Sequence, residues 1–427
     1  MFPMKKNILN STVSNFMRAC QLKKIIGVPV MAVFSFLNFS GSSTVSYAAI
    51  SERFVISVTV DTNESIDIEV VWPKGTLPKA LVVVVPSTGG LSDAYFDSEL
   101  NKPIYDPDSR GGLTKALNEA GFAAAFYNQR GFNSLRTCIT GKNFQERALS
   151  FVKNCVDAKT RGKVSLSTIS SDTAAVFTAL SLDSRTKNLL QIALAYSEGM
   201  HHVSSLTGKN IIKPAGIISV GGPVDSMAEL SKFQITHEYY LQLAETAFQN
   251  CKSSKLQVIQ IFSCAQLKSK GVTLALMVET FGGDVVTQDQ ISSKRKAYGD
   301  FYREYSAKFP SYSEGATMNG TFGGYVIPTA WAASFYTEIF KSTSTIIQQL
   351  GMFGGKVIFI SGALDYLVPV PISGKCPSQP GNTNQLVNCE VIVIKDLGHA
   401  LEDETGLPTK NALSQIILAI YKVSKSY

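Results

Sequence analysis

The spacing of apolar positions changes character several times along this chain. Phe54 to Val60 and Ile66 to Trp72 each alternate apolar and polar residues, the period of a strand with one buried and one wet face, and together they predict an antiparallel pair. Ala80 to Val85 is apolar throughout and rich in valine, as a central strand covered on both faces should be. Beyond it the pattern predicts a helix over Leu113 to Glu119 closed by Gly121, a strand over Phe122 to Tyr127 and a helix over Thr168 to Leu182. Four further apolar strands follow, at Leu190 to Tyr196, Ala215 to Val220, Lys356 to Ile360 and Glu390 to Ile394. Strands separated by helices predict an α/β fold, a mostly parallel central sheet flanked by helices.

The alternation breaks between Val224 and Gly354. An interval that long exceeds an ordinary connection, so residues 224–354 are read as an inserted helical cap. Leu230, Phe233, His237, Leu241, Ala244 and Phe248 form one stripe at helical spacing, and Trp331, Phe335, Ile339, Ile346 and Leu350 form another. Both are read as cap core, since an amphipathic helix turns that face inward. The expected organisation is a leader over 1–48, the first part of the α/β core over 49–223, the cap over 224–354, and the rest of the core over 355–427.

The leader resembles an export signal. Lys23 and Lys24 precede an apolar run from Ile25 to Leu37, and Ser46-Tyr47-Ala48 places small residues around a cut after Ala48. The run is too short to span a bilayer comfortably, and no later stretch has about 18 uninterrupted apolar residues. An uncleaved anchor is the alternative; the expectation is an exported protein, periplasmic or secreted, with no stable membrane insertion after cleavage. Residues 1–48 hold Lys5, Lys6, Arg18, Lys23 and Lys24 and no acid, so their removal lowers the formal charge from +7 to +2. A nearly neutral remainder makes no electrostatic case for nucleic acid.

Six cysteines then remain, in neighbouring pairs: Cys138 with Cys155, Cys251 with Cys264, and Cys376 with Cys389. Six allow 15 pairings and spacing alone does not choose among them, but export favours oxidation and proximity favours three local bridges. No cysteine and histidine spacing suits zinc. No metal or cofactor is expected.

The chemistry centres on Tyr196-Ser197-Glu198-Gly199, where an apolar strand stops at a serine and a helix begins. A serine there stands clear of the sheet, with the backbone N–H groups after it facing any developing oxyanion. The alternative is a helix N-cap, a common task for serine. Tyr-Ser-Glu-Gly recurs at Tyr312 to Gly315 with no strand before it, so the strand, not the tetrapeptide, singles out Ser197. Of four histidines, His201 and His202 lie in the helix that Ser197 opens and are expected to point off the sheet edge. His237 falls on a cap stripe, where a core role is expected. His399 follows the strand Glu390 to Ile394, at the sheet edge where open α/β folds bind ligands. Asp365 follows the strand ending at Ile360 and fits the acid that orients the imidazole. Glu402 and Asp403 are read instead as solvated acids before a helix.

These segments resemble the α/β-hydrolase superfamily, especially bacterial esterases and serine-aminopeptidase-like members, from about residue 53 to the C-terminus apart from the cap. The matching pieces are Gly121 through Arg130-Gly131, Tyr196 to Gly199, Gly362 to Asp365, and Gly398-His399. The resemblance implies an α/β-hydrolase fold with Ser197 as nucleophile, His399 as base and then acid, Asp365 as orienting acid, and the N–H groups of Glu198 and Thr88 as the oxyanion hole. Ala195, Pro86-Ser87 and Asn128 depart from the family pattern without removing a triad member. The substrate expected is a small ester or a short peptide. An aminopeptidase, which would need a carboxylate such as Glu238, Glu245 or Glu279 for the substrate amine, and a non-catalytic binding protein on the same fold are the rivals.

Overall fold

The computed structural model describes residues 51–61, 64–87, 112–133, 138, 154–251, 258–261, 264, 277–278, 280–308, 319–322, 325–328, 333–351, 353–371, 388–399, 401, 403 and 409–426. The leader, Thr88, Glu279, Trp331, Cys376, Glu402 and the second Tyr-Ser-Glu-Gly lie outside these residues.

Eight strands form one sheet. They are β1 (Ser51–Asp61), β2 (Glu64–Pro73), β3 (Leu81–Val85), β4 (Ala123–Tyr127), β5 (Gln191–Tyr196), β6 (Gly216–Val220) and, after a long interval, β11 (Lys356–Gly362) and β12 (Cys389–Ile394). Their order in space is β1-β2-β4-β3-β5-β6-β11-β12. β2 runs antiparallel to β1 and β4, and every other neighbour pair is parallel. In β3 all five residues are buried, because α/β layering covers both faces. Val82 and Val84 join one hydrophobic cluster while Leu81, Val83 and Val85 join the other. Each such side chain contributes about 1.5–3 kcal/mol relative to exposure.

One face is closed by α1 (Leu113–Glu119) and by the C-terminal helix, which supply Leu113, Leu117, Leu413, Ile416 and Ile420 to the first cluster. The other is closed by α3 (Leu166–Leu182) and α4 (Gly199–Gly208), separated from α1 in the chain by a four-residue α2 (Ala158–Arg161). Helix α3 starts two residues earlier than the periodicity predicts. Ser165 caps it, its hydroxyl accepting from the Thr168 N–H at 3.1 Å.

Between β6 and β11 the described chain forms α5 (Met227–Ile235), α6 (Glu238–Cys251), β7 (Val258–Gln260), β8 (Val285–Thr287), α7 (Gln288–Lys308), β9 (Asn319–Phe322), β10 (Tyr325–Pro328), α8 (Ala333–Lys341) and α9 (Ile346–Leu350). The C-terminal helix is α10 (Lys410–Ser424). Two findings correct the all-helical expectation for this interval. It contains two antiparallel strand pairs, β7 with β8 and β10 with β9. The pairing of β7 with β8 joins runs more than twenty residues apart, a contact that local periodicity cannot show.

Each expected stripe also divides between helices. The first is cut at Thr236, whose N–H closes α5 on Lys232 and Gln234, and at His237, which sits at φ 54°. His237 is therefore a junction residue, its ring 4.9 Å from that of Tyr298. Leu230 packs with Phe335 and Leu367, whereas Leu241, Ala244 and Phe248 pack around β7 and β8. The second stripe is cut where Thr345 and Gln348 build a capping box for α9. Ile346 and Leu350 of α9 then pack on the sheet beside α4.

Cys138 is bonded to Cys155 and Cys251 to Cys264. Cys389 is disulfide-bonded as well, and its expected partner Cys376 lies outside the described residues. Loops of this size contribute on the order of 3 kcal/mol each in the chain-entropy model. Non-reducing peptide mapping should recover 138 with 155, 251 with 264 and 376 with 389; exchanged partners or free thiols would refute that scheme.

Candidate active site

Strand β5 delivers Ser197 to the carboxyl edge of the sheet. Its residues Ile192 to Ala195 are buried between β3 and β6, so the chain must leave the sheet abruptly at Tyr196. Ser197 takes φ 49°, a left-handed conformation that costs a non-glycine residue on the order of 1–3 kcal/mol. Two backbone hydrogen bonds hold it there. Its N–H donates to the Val220 carbonyl at 2.9 Å, and its carbonyl accepts from Met200 N–H at 3.0 Å.

Gly199 is required by a close approach rather than by flexibility. A Cβ at this position would lie 2.7 Å from the Val85 carbonyl oxygen and 2.8 Å from that of Pro86. Helix α4 thus starts against the end of β3, where the segment carrying Ser87 leaves the sheet. Glu198, between Ser197 and Gly199, is buried and occupies the N-cap position of α4.

Asp365 and His399 approach from the next strands. The loop after β11 is tied to the loop after β12 by Ala363 N–H to the Ile394 carbonyl, 2.8 Å, and Leu364 N–H to the Leu397 carbonyl, 2.9 Å. Asp365 is 1% exposed and divides its oxygens between two tasks. Oδ1 accepts from the N–H groups of Leu367 and Val368, each at 2.9 Å, and Oδ2 lies 2.8 Å from His399 Nδ1. A carboxylate can only accept here, so Nδ1 carries the proton and Nε2 is left as the acceptor.

Ser197 and His399 each adjoin the end of β6, at Val220 and Gly221. Val220 receives the Ser197 N–H, and a Cβ on the following Gly221, at φ 56°, would sit 3.1 Å from His399 Nδ1 and 3.2 Å from Cε1. The imidazole therefore lies over the β6 terminus next to the Ser197 turn. From the interval between β6 and β11, Tyr239 of α6 comes within electrostatic range of the same acid. Burial and the Asp365 carboxylate push its phenol up to about 12, and its ring is 6.4 Å from that of Tyr366.

The remaining histidines are placed differently from expectation. His201 and His202 do not point off the sheet edge; both are buried. His202 is fully covered, with Nδ1 2.8 Å from Ser170 Oγ and Nε2 3.1 Å from Glu198 Oε1. Both ring nitrogens are thus engaged away from Ser197. Asp403 precedes α10, whose N-cap is Thr409. Thr88 lies outside the described residues, but the preceding Ser87 carbonyl accepts from Gln129 Nε2 at 3.1 Å.

Gln129 and its supporters escaped the sequence reading. Its Oε1 accepts from Arg161 Nη1 at 3.3 Å, and the same Nη1 donates to the Arg130 carbonyl at 3.1 Å. Arg161 is completely buried, its guanidinium 4.7 Å from the centre of the Phe132 ring. Nothing local in Ala158 to Arg161 announces a buried cation. The i, i+4 spacing of Glu198 and His202 is the sequence signal from which their pairing could have been read. Among the described residues no group of three His, Cys, Asp or Glu side chains could hold a metal ion, and no helix is long and apolar enough to cross a membrane.

No family model and no curated protein matches the sequence. Solved structures do align with it. A proline iminopeptidase from Mycobacterium smegmatis matches at 13% identity and TM-score 0.45, covering 87% of this chain and 99% of that one. A lipase in its open form matches at 13% identity and TM-score 0.44 with the same coverage. Est1E from Butyrivibrio proteoclasticus matches at 9% identity and TM-score 0.41, again over 87% and 99%. The chain has an α/β-hydrolase fold, and its strand order, with the antiparallel β2 and the serine turn after β5, carries that assignment.

His201 provides a pH test of this packing. Burial, then neighbouring His202 and Lys209, pushes its imidazole down to about 3, and Gln349 Nε2 lies 3.2 Å from Nδ1 of the neutral ring. The unfolded chain takes up this proton near 6.5 and the folded chain does not, so stability is complete above about 6.5 and is lost as pH falls toward about 3. The slope is about 1.4 kcal/mol per pH unit for one proton. Urea denaturation at pH 7.5, 5.5 and 4.5 should show a shallower loss for His201→Asn than for the parent protein; parallel losses would exclude His201 as the source.

Proposed function

We propose that this chain is an exported serine hydrolase that cleaves a carboxylic ester, or an amide, through Ser197, His399 and Asp365. The observation that carries the reading is the convergence at one sheet edge of a serine held at φ 49° and a buried imidazole bonded to a buried carboxylate at 2.8 Å. In this reading Ser197 Oγ attacks the substrate carbonyl while His399 Nε2 takes the hydroxyl proton. The tetrahedral oxyanion is met by the N–H groups of Glu198 and Thr88, donors of a kind worth about 10²- to 10³-fold in rate. Collapse breaks the bond to the alcohol or amine, which leaves with the proton from His399. Water, deprotonated by the same imidazole, then releases the acid and restores Ser197. Asp365 stays ionised and holds the ring in the Nδ1–H form. This chemistry uses no cofactor.

Residues 224–354 act as a cap over the edge, and Tyr239 beside Asp365 supports that placement. The leader and the disulfides support export to an oxidising compartment. Ester cleavage is favoured over aminopeptidase action because two carboxylates available for a substrate amine are otherwise engaged. Arg295 Nη2 lies 3.1 Å from Glu238 Oε1 and 3.0 Å from Glu245 Oε2.

Two experiments test the reading. Ser197→Ala should lower turnover of a p-nitrophenyl ester by roughly four to six orders of magnitude, whereas Ser313→Ala, at the second Tyr-Ser-Glu-Gly, should stay within about tenfold. A serine-directed phosphonate should mark the Ser197 peptide alone; label on Ser313, or an active Ser197→Ala protein, refutes the triad. The base must be neutral to accept a proton, so kcat/KM should fall along one ionisation as pH drops below neutrality, the range in which imidazoles titrate. A rate flat to pH 4 would remove His399 from the base role.

A further inference from the structure

A buried polar chain runs beneath the Ser197 turn and is used by no step of the proposed reaction. It starts at Ser170 Oγ on α3, 2.8 Å from His202 Nδ1, and continues from His202 Nε2 to Glu198 Oε1 at 3.1 Å. The charge of Glu198 in turn acts on the Arg161 guanidinium. Burial pushes that group down to about 9, while the charges of Glu198 and Asp172 act in the opposite direction. Arg161 Nη1 then donates to Gln129 Oε1, and Gln129 Nε2 to the Ser87 carbonyl. His202 and Arg161 are each 0% exposed, and Glu198 and Gln129 each 1%.

Two points along this chain lie on the two backbone segments that would supply the oxyanion donors. Glu198 is itself the residue after the serine, and Ser87 is the residue before Thr88. Burying two charges and two further polar side chains is costly unless their geometry is used, because each needs its partners inside a medium of low polarity. Resting on the serine-hydrolase reading, we infer that His202 and Arg161 are positioning residues. Through Glu198 they fix the direction of its own N–H, and through Gln129 they hold the Ser87 carbonyl, and so act on the transition state rather than on substrate binding.

The groups facing Glu198 come from four elements: His202 on α4, with His201 beside it; Arg161 on α2; Tyr336 on α8; and Asp172, through Arg161, on α3. The phenol of Tyr336 is raised by burial and by the Glu198 carboxylate. Glu198 therefore has a cation, an imidazole and a phenol as neighbours, an environment suited to a fixed carboxylate. A fixed carboxylate fixes the backbone turn that carries its own N–H.

The test compares His202→Leu, which removes both ring contacts, with His202→Gln, whose amide can donate to Glu198. Each is made in the whole protein, and retention of fold is checked by circular dichroism and thermal melting. On a p-nitrophenyl ester, His202→Leu should lose about 30- to 100-fold in kcat with KM within about threefold, the scale of a small misplacement of a catalytic group. His202→Gln should recover most of that loss. A trifluoromethyl ketone, which forms a hemiketal oxyanion on the serine, should bind His202→Leu more weakly by a factor matching the fall in kcat. If His202→Leu does not fold, Arg161→Lys, which keeps the charge but loses the fork to Gln129 and the Arg130 carbonyl, takes its place with the same expected split. Unchanged kcat in a folded variant, or a loss confined to KM, overturns the positioning role while phosphonate labelling of Ser197 in the parent protein upholds the hydrolase reading. A parent protein that neither hydrolyses the ester nor takes the label overturns both.

Discussion

One backbone hydrogen bond, from Ser197 N–H to the Val220 carbonyl, sets the conditions for the rest of the site. It extends the β5 and β6 pairing by one residue past the point where β5 can remain a strand. The chain must then reverse within a single residue, and Ser197 absorbs the reversal at φ 49°. The same bond brings the turn against Gly221, and Gly221 is the floor on which the His399 ring rests. A strained serine, a bare glycine and an imidazole are thus consequences of one register. The energy stored in the turn is small against the burial of β3, β5 and β6, which are almost wholly covered. That imbalance is what lets the strain persist.

The central sheet was legible because its strands satisfy local and global demands together. Val82 to Val85 could be nothing but a covered strand, and the alternation in Ile66 to Trp72 matches its one-sided burial. The interval between β6 and β11 was legible only in outline. Its apolar stripes continue in phase across Thr236-His237 and across Ser342 to Thr345, so periodicity joins helices that the backbone separates. The pairing of Ile259 with Val286 depends on residues far apart in sequence and leaves no local trace.

For the site, the residues that end strands could be read, and the residues that support them could not. Asp365 and His399 stand immediately after apolar runs, and the structure joins them at 2.8 Å. His202 was expected to point off the sheet edge, but α4 packs against α3 and its ring faces inward toward Ser170. Arg161 illustrates the harder case. Its partners, Gln129 and the Arg130 carbonyl, lie about thirty residues earlier, and only the folded loop after β4 brings them into range.

The chain between β6 and β11 starts at one edge of the sheet and ends at the other, since the two strands run parallel in register, with Lys356 opposite Gly216 and Ile360 opposite Val220. The chain must therefore travel back along a face of the sheet before β11 can begin, and α9 lies on that path, with Ile346, Ile347 and Leu350 packed among the sheet's own residues. This return leg belongs to the scaffold, and exchanging the whole interval would strip one face of the sheet of part of its cover.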